Sequence, residues 1–390
     1  MLRPEWKAYE TSIFSEMSQL AQTHNAVNLA QGFPDFDGPD EIKQAATKAI
    51  RDGKNQYAPS HGIIELREKL AERQLESTGI SYNPATEVTV FSGATEAMFC
   101  AITALCKPGD VIHCFEPFYE SYPFAADLVG ASLKAIPLNP PDWTIDFERL
   151  ESELGPKSTA FVLNTPHNPT GRVFTKAELE KLAALITKYN LVLITDEVYE
   201  ELVFTPSRHL APATIQGLKE RTISISSTSK TYSFTGWKIG YAFAPEALTR
   251  LIRIPHQYTV FCSAAPLQWG MLAALDLSKT YYHLFREDYA KRRHALYLCL
   301  QKHGFKCKPP EGSYFITADY SSISDLNDQD FARELTKRVN VATIPISGFY
   351  NDPKEAAKQL RYVRFAFCKD LTTIAKAERL LSDGLALMKS

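Results

Sequence analysis

The most reactive feature of this sequence is a lysine surrounded by hydroxyl groups. Lys230 stands in the segment Ser226-Ser-Thr-Ser-Lys-Thr231, at the end of the run TISISS, and Lys238 follows eight residues later. A lysine amine can form a Schiff base with an aldehyde, while Ser227 and Lys238 could hold a phosphate through a hydroxyl donor and a point charge. The segment therefore predicts a site for a phosphorylated aldehyde, and the competing interpretation is a solvated basic turn.

A carboxylate and a phenol follow another apolar run. Asp196 comes directly after Leu191-Val-Leu-Ile-Thr195, and Tyr199 lies three residues further on. The carboxylate of Asp196 could pair with a protonated ring nitrogen, which keeps an aromatic cofactor a strong electron acceptor. Tyr199 could then reach the phenolate oxygen of the same ring. The alternative is that Asp196 simply caps the helix that follows.

Three further segments carry groups suited to anions or to a crevice. In Asn164-Thr-Pro-His-Asn-Pro-Thr-Gly171, the turn could point Asn168 into a crevice, although such turns are also common structural features. In Ser92-Gly-Ala-Thr-Glu-Ala97, the free amides at a helix start would attract phosphate. Arg364 lies in the apolar run Tyr362-Val-Arg-Phe-Ala-Phe367. It faces solvent, pairs with an internal acid, or clamps a substrate carboxylate.

The elements that must position these residues follow an alternating pattern. From about Val88 to Ala244, short β-branched runs (VTVF, DVIHCF, TAFVLN, LVLITD, TISISS, GYAFA) alternate with helical stretches such as Lys176 to Tyr189. This alternation predicts a mostly parallel sheet covered by helices, with ligands bound beyond the carboxyl ends of the strands. After Leu248 the pattern changes to a long helix over Tyr281–His303, strands around SYFITADY, VATIPIS and LRYVRFAF, and helices at Asp330–Val339 and Ile374–Met388.

Composition restricts the class of protein. The 390 residues hold 43 basic and 45 acidic side chains, so no excess of positive charge predicts binding to nucleic acid or to a membrane surface. The seven cysteines are scattered and never spaced Cys-x-x-Cys, which is typical of reduced thiols. We find no secretory signal pattern and no long apolar segment, so we expect a cytoplasmic location. The nine histidines show no His-Glu-x-x-His spacing, and no metal site is predicted.

Six segments, taken in order, resemble the class I/II aminotransferases, a family of fold-type I enzymes that use pyridoxal 5'-phosphate. They are SGATEA, EPFYESY, NTPHNPTG, TDEVYEEL, SSTSKTYSFTGWKIGY and VRFAF. Asn28–Phe36 and Asn55-Gln-Tyr57 are similar to the branch that contains kynurenine aminotransferases (glutamine transaminase K) and bacterial methionine aminotransferases. The resemblance implies an α/β fold with a large cofactor-binding domain, residues 41–280, whose mixed, mostly parallel sheet is flanked by helices. It also implies a smaller α+β domain that combines residues 1–40 with residues 281–390.

The same resemblance implies a role for each site residue. Lys230 would carry the cofactor and shuttle the proton at the substrate α-carbon, Asp196 would bind the pyridine nitrogen, and Tyr199 with Asn168 would contact the ring oxygen. The other implied cofactor contacts are Gly93, Ala94, Thr95, Tyr119, Ser227, Lys238 and, from the neighbouring subunit, Tyr57. Arg364 would clamp the substrate α-carboxylate, helped by Asn168 and the backbone of Gly32, and Phe14 would contribute to an apolar or aromatic pocket for the substrate side chain. A homodimer with shared active sites follows.

The chain departs from its relatives at three positions near the substrate side chain. Thr95 stands where kynurenine aminotransferases commonly have an aromatic residue, Cys262 where they have a histidine, and Phe14 where some have a tryptophan. No second arginine is placed for an acidic side chain. We therefore expect a neutral donor (methionine, glutamine, an aromatic amino acid or kynurenine), a 2-oxo acid acceptor and a ping-pong mechanism. The alternative reaction is carbon–sulfur β-elimination from cysteine conjugates.

Overall fold

The computed structural model describes residue 9 and residues 12–389, so residues 1–8, 10 and 11 of the predicted N-terminal segment 1–40 lie outside it, as does Ser390. The α-helices are α1 (Ile13–Thr23), α2 (Asp40–Arg51), α3 (Ile64–Thr78), α4 (Ala94–Leu105), α5 (Ser121–Leu128), α6 (Phe147–Glu153), α7 (Lys176–Lys188), α8 (Thr228–Thr231), α9 (Glu246–Thr259), α10 (Ala265–Leu275), α11 (Lys279–Lys302), α12 (Asp328–Glu334), α13 (Pro353–Gln359) and α14 (Leu371–Gly384).

The strands are β1 (Val27–Asn28), β2 (Val88–Phe91), β3 (Val111–Glu116), β4 (Ser132–Pro137), β5 (Ser158–Asn164), β6 (Val192–Asp196), β7 (Thr222–Ser227), β8 (Gly240–Phe243), β9 (Phe315–Asp319), β10 (Val341–Ala342), β11 (Ile344–Pro345) and β12 (Tyr362–Ala366). Short 3-10 helices cover Pro212–Thr214, Lys219–Arg221, Thr235–Trp237, Ile346–Phe349 and Leu385–Lys389, and a π-helical turn covers Leu335–Val339.

A seven-stranded sheet forms the centre of the larger part of the molecule. Its strand order is β2-β8-β7-β6-β5-β3-β4, and β8 is antiparallel to both of its neighbours, while β7, β6, β5, β3 and β4 run parallel. Every residue of β2, β7 and β8 is buried. Burial on both faces is expected for strands of a sheet that helices cover on each side. The predicted fold class, a mostly parallel mixed sheet flanked by helices, is confirmed.

The predicted reactive residues lie at one edge of this sheet. Strands β5, β6 and β7 run parallel and end at Asn164, Asp196 and Ser227 respectively. Since the carboxyl ends of parallel strands meet at the same edge, three segments that are far apart in sequence open onto one crevice. Strand β2 leads through Ser92 and Gly93 into the start of α4 at the same place.

Two smaller sheets bring the N-terminal and C-terminal segments together. Strands β11, β12 and β9 form an antiparallel sheet, and β1 pairs with β10 in parallel. The amide of Ala366 donates to the carbonyl oxygen of Leu29 at 2.7 Å, which joins β12 to the segment after β1. Arg364 lies in the middle of β12, opposite Thr317 of β9 and Ile344 of β11.

The sequence missed one strand of the large sheet. β4 is an edge strand, and its burial alternates between exposed and buried positions in Ser-Leu-Lys-Ala-Ile-Pro. This short segment was not predicted as a strand, because its polar residues and its alanine are not typical of strands. The long helix predicted over Tyr281–His303 is found as α11. Among the described residues, no helix combines the length and the apolarity needed to cross a membrane.

Candidate active site

A cavity of about 160 Å³ lies beyond the carboxyl ends of β5, β6 and β7. It is lined by Gly93, Ala94, Thr95, Met98, Tyr119, Ser121, Tyr122, Asn164, Asn168, Asp196, Val198, Tyr199, Ser227, Ser229, Lys230, Thr235 and Lys238. Ten of these residues were predicted from the sequence, and they come from five separate segments of the chain. The predicted cluster is therefore one site in space.

Lys230 reaches this cavity from the one-turn helix α8. That helix begins because the Oγ of Ser227 accepts a hydrogen bond from the amide of Ser229 at 3.1 Å. The Nζ of Lys230 donates to the carbonyl oxygen of Gly32 at 3.3 Å. Burial of the amine, with a smaller contribution from Lys238, lowers the pKa of Lys230 to about 8. At pH 7 roughly a tenth of the amine is therefore uncharged, far more than for an ordinary lysine, and only the uncharged form is a nucleophile or a proton acceptor.

Asp196 presents one unsatisfied oxygen to the cavity. Its Oδ2 accepts a hydrogen bond from the Oη of Tyr122 at 2.8 Å, whereas its buried Oδ1 has no partner among the described residues. Burial raises the pKa of this carboxyl, and the hydrogen bond from Tyr122 opposes that effect. An orphaned buried carboxylate oxygen is costly unless a ligand supplies a donor. The helix-cap alternative is not observed, because within the described residues no helix begins directly after Asp196 and the next one starts at Pro212.

A cradle for an anion forms where α4 begins. Gly93 precedes the first turn with a φ of 89°, and no side chain caps the helix start, so its first amides point out of the helix without a capping acceptor. A Cβ atom on Gly93 would lie 2.9 Å from the Nζ of Lys238. Glycine at this position thus allows the ammonium group to lie directly against the turn. Ser227 adds a buried hydroxyl to the same cavity.

Arg364 is a buried cation held by neutral partners. Its side chain is 2% exposed, Nη1 donates to the Oδ1 of Asn168 at 2.9 Å, and Nη2 donates to the carbonyl oxygen of Ala30 at 2.7 Å. The buried Nε has no hydrogen-bond partner, and no carboxylate pairs with this guanidinium in the described part of the chain. Burial lowers the pKa of Arg364 to about 10. A buried guanidinium with unused donors is a binding site for an anion.

Aromatic rings enclose the guanidinium of Arg364. Its Cζ lies 3.8 Å from the ring centre of Phe315, 4.9 Å from that of Phe349 and 5.3 Å from that of Phe14. The ring of Phe14 also contacts that of Tyr119, with 6.4 Å between the ring centres. Phe14 and Gly32 therefore lie beside the predicted site, as their candidate roles require.

Tyr57 is the one predicted cofactor residue that this chain does not bring to the cavity. Its side chain is 84% exposed and contacts the ring of Phe261, with 5.3 Å between the ring centres. Tyr199 lies in the cavity, and burial raises the pKa of its phenol well above the ordinary value.

Sequence reasoning missed two tyrosines that hold predicted residues in place. Tyr122 donates to Asp196, and the Oη of Tyr314 donates to the carbonyl oxygen of Gly32, the same atom that accepts from Lys230. Tyr122 follows Tyr119 by three residues in the segment EPFYESY, a spacing that could have placed both phenols on one side of the same helical turn. Tyr314 carried no comparable signal.

Comparison with known proteins identifies the family. Residues 24–370 match the family described as Aminotransferase class I and II. The chain belongs to this family of aminotransferases. It is 38% identical over 371 residues to the methionine aminotransferase of Escherichia coli, covering 95% of each chain. It is 40% identical over 388 residues to a probable N-succinyldiaminopimelate aminotransferase of Mycobacterium tuberculosis, covering 98% of this chain and 97% of the relative.

Human kynurenine–oxoglutarate transaminase 3 is 34% identical to this aminotransferase over 406 aligned positions, which cover 95% of this chain and 88% of the human protein. The solved structure of N-succinyldiaminopimelate aminotransferase from Mycobacterium tuberculosis superposes with a TM-score of 0.95 at 40% identity, covering 98% of this chain and all of the other. The aminotransferase therefore acts on amino acids and 2-oxo acids, and three different donors occur in the names of similar relatives.

Aminotransferases of this family depend on pyridoxal 5'-phosphate, and the cavity fits that group. The unpartnered Oδ1 of Asp196 would accept a hydrogen bond from the protonated pyridine nitrogen. The turn at Gly93, the first amides of α4 and the ammonium of Lys238 would hold the phosphate. Lys230, with its lowered pKa, supplies the amine that the aldehyde requires.

Proposed function

We propose that this aminotransferase takes the amino group of a neutral amino acid, such as methionine, glutamine, an aromatic amino acid or kynurenine, and transfers it to a 2-oxo acid by a ping-pong mechanism. The observation that carries the proposal is the surroundings of Arg364. One guanidinium with unused donors is available for the α-carboxylate, and aromatic rings surround it. No arginine lines the cavity itself within the described residues.

The adjoining space supports a neutral side chain. A second cavity of about 720 Å³ shares Thr95, Tyr119 and Ser121 with the first and is bordered by Arg333. Arg333 is already neutralised, because its Nε donates to the Oε1 of Glu16 at 2.6 Å and its Nη2 donates to the Oε2 of the same carboxylate at 3.1 Å. A distal carboxylate on the substrate would have to displace Glu16, so its binding is disfavoured.

Each side chain of the site has a separate role in the proposed reaction. When bound, pyridoxal phosphate supplies an aldehyde that takes up the amino group and a ring that accepts electrons. Lys230 then holds the proton that leaves the substrate α-carbon and returns it, because burial of its amine lowers the pKa to about 8. Arg364 and Asn168 orient the substrate carboxylate. Tyr122 keeps Asp196 oriented towards the ring nitrogen.

We further propose a homodimer in which Tyr57 completes the site of the partner. Tyr57 projects into solvent from this chain, and an exposed apolar patch lies next to it. The patch consists of Leu251, Ile254, Tyr258, Val260 and Phe261, on α9 and the residues just after it. Exposed apolar residues grouped in this way are typical of a surface that binds another chain.

The proposed site takes residues from both predicted domains. Lys230 and Asp196 belong to residues 41–280, whereas Gly32 and Arg364 belong to the proposed small domain, residues 1–40 and 281–390. The hydrogen bonds from Lys230 to Gly32 and from Arg364 to Asn168 both span this division. Movement of the small domain would therefore bring the carboxylate clamp to the reactive amine and exclude water.

The first experiment is a half-reaction without an acceptor. The purified protein is saturated with pyridoxal phosphate, and methionine is added while absorbance is recorded. We expect the visible absorbance of the lysine-bound cofactor to disappear while one 2-oxo acid is released per site, and the Lys230→Ala variant to show neither change. Adding a 2-oxo acid after removal of the first product should restore the absorbance.

A donor panel then tests the substrate class. We expect kcat/KM for methionine to exceed that for aspartate and for N-succinyldiaminopimelate by roughly a hundredfold, since each of the latter would leave a second carboxylate without a cation. Preference for either acidic donor would contradict the proposed class while leaving the aminotransferase intact. Pyruvate released from a cysteine conjugate without an acceptor would instead point to β-elimination.

A further inference from the structure

His256 is a fully buried histidine of α9 that lies outside the cavity. Its Nε2 donates to the carbonyl oxygen of Ser60 at 2.5 Å, and its Nδ1 lies 2.5 Å from the Oε1 of Glu96. A carbonyl oxygen can only accept, so the proton on Nε2 is required by this geometry. The imidazole therefore connects two segments that are 36 residues apart in the chain and otherwise belong to different structural elements.

The first of these segments is the turn proposed to hold the phosphate. Glu96 is the third residue of α4, and its Oε2 accepts a hydrogen bond from the amide of Ser92 at 2.5 Å. This bond joins the residue before Gly93 to the first turn of the helix and so fixes the turn between them. The Oγ atoms of Ser92 and Ser263 lie 3.1 Å apart, which is a second link from this turn to the segment after α9. The side chain of Glu96 is 10% exposed, and that of His256 is 1% exposed.

The second segment carries Tyr57. Ser60 lies three residues after Tyr57, and the carbonyl oxygen of its neighbour His61 accepts from the amide of Val90 at 3.1 Å, which anchors this end of the loop to β2. The backbone of His256 acts on the same tyrosine by another route. Its carbonyl oxygen accepts the amide of Phe261 at 3.0 Å, and the Phe261 ring contacts the ring of Tyr57.

We propose that His256 and Glu96 are positioning residues that connect the two active sites of the dimer. Each pair fixes the phosphate turn of its own subunit and, through Ser60 and Phe261, the position from which Tyr57 extends to the partner. A change at His256 therefore weakens cofactor binding in both subunits. This inference rests on the shared-site homodimer and on the cofactor proposed above.

Hybrid dimers with one working site test the proposal. Two differently tagged chains are co-expressed, one of which carries Lys230→Ala, so the lysine-bound absorbance reports only on the other chain. In the first hybrid, His256→Gln is placed on the Lys230→Ala chain; in the second, it is placed on the working chain. The measurement is the dissociation constant of pyridoxal phosphate at the working site, with the Lys230→Ala hybrid lacking any change at His256 as the reference.

We expect the dissociation constant to rise roughly tenfold in both hybrids, because glutamine cannot satisfy Ser60 and Glu96 together and one hydrogen bond to a charged group is lost. Glu96→Gln in the same two arrangements provides a second variant if the histidine variant does not fold. His283→Gln, at an exposed histidine of α11, should leave the constant unchanged. An increase only in the second hybrid, or in neither, would overturn the connection between sites.

The hybrid that carries only Lys230→Ala shows whether the dimer and its cofactor site exist, independently of His256. If the Lys230→Ala and unmodified chains form a dimer with one lysine-bound cofactor, the shared-site premise is met and the comparison decides the role of His256. If they form no dimer, or the unmodified chain shows no lysine-bound cofactor, the proposed assembly or cofactor site is itself wrong, and the inference falls with it.

Discussion

The Oη of Tyr122 donates a hydrogen bond to the Oδ2 of Asp196 at 2.8 Å, and Oδ1 of this cavity-lining carboxylate has no partner among the described residues. The contact has two effects. It fixes the orientation of the carboxylate, and it offsets part of the rise in the pKa of Asp196 that burial causes. Tyr122 is itself buried, although it lines the same cavity.

Replacing Tyr122 by phenylalanine should therefore shift the pH dependence of the enzyme. Losing a hydrogen bond that lowers the pKa of Asp196 raises that pKa, so the carboxylate becomes protonated at a higher pH. We expect the acid limb of the kcat/KM profile to move to higher pH and activity at neutral pH to fall roughly tenfold. Tyr82→Phe is the matched control, because the buried hydroxyl of Tyr82 has no hydrogen-bond partner among the described residues. An unmoved acid limb would contradict the role given to Tyr122.

Lys230 should react with amine reagents at a lower pH than surface lysines do. Its pKa is lowered to about 8 by burial, so in the cofactor-free protein its labelling should rise with a midpoint near pH 8. Lys43 is the internal reference, since pairing with Asp37 raises its pKa. Quantitative mass spectrometry of the two peptides after brief reductive methylation measures both curves. Coincident midpoints would show that Lys230 is not perturbed.

Arg364→Gln should weaken the binding of every substrate that has an α-carboxylate. Removing a buried charged partner costs about 2–5 kcal/mol, which is roughly a 30-fold or greater loss in kcat/KM. The loss should be similar for the amino acid and for the 2-oxo acid, because both present the same carboxylate. Arg361→Gln is the control, since Arg361 directly precedes the same strand but donates to the backbone carbonyls of Ala357, Lys358 and Leu360. A loss confined to one substrate would contradict the clamp.

Gly93→Ala should weaken the binding of pyridoxal phosphate, whereas a glycine replacement that destabilises the fold to a similar extent elsewhere should not. The new Cβ would lie 2.9 Å from the Nζ of Lys238, so the ammonium must move away from the turn. Gly53→Ala is a matched control, because Gly53 also has a positive φ, at 80°, but has open space around it. Both changes should lower the free energy of unfolding by about 1–3 kcal/mol. Only Gly93→Ala should raise the dissociation constant of pyridoxal phosphate, as measured by titration of the cofactor-free protein.

Ile254→Glu should separate the proposed dimer. Ile254 is 57% exposed within the apolar patch of α9, and a charge there would be buried without a partner in the interface. Sedimentation equilibrium should change from twice the chain mass of 43.8 kDa to a single chain, and cofactor affinity should fall because Tyr57 no longer reaches a partner. Leu75→Glu, at an exposed residue of α3, should leave the mass unchanged. A dimer that survives Ile254→Glu would show that this patch is not the interface.

The reactive residues of the large sheet could be recognised from the sequence because local chemistry marks them. Lys230, Asp196 and Asn168 each follow a short apolar run, and the carboxyl ends of parallel strands meet at one edge. The order of the motifs along the chain was enough to indicate the family, which comparison with known proteins confirmed. These features depend on residue type and on neighbours within a few positions.

Arg364 shows what the sequence left open. Its pattern allowed a solvent-facing arginine, an internal ion pair or a free clamp, and the choice depended on partners that lie 196 and 334 residues away. Tyr122, Tyr314 and His256 were likewise unassigned, because their importance comes from atoms that only folding brings into contact.

The sequence by itself therefore determined the fold class and the family, and it singled out Lys230 as the candidate reactive lysine, because strand periodicity and short motifs are local properties. Tertiary structure decided that, among the described residues, Arg364 is buried without a carboxylate partner and one oxygen of Asp196 remains unpaired. It also decided that Tyr57 is exposed and does not line the cavity of its own chain. Burial and hydrogen-bond pairing depend on contacts between distant segments, and these contacts exist only once the sheets have assembled.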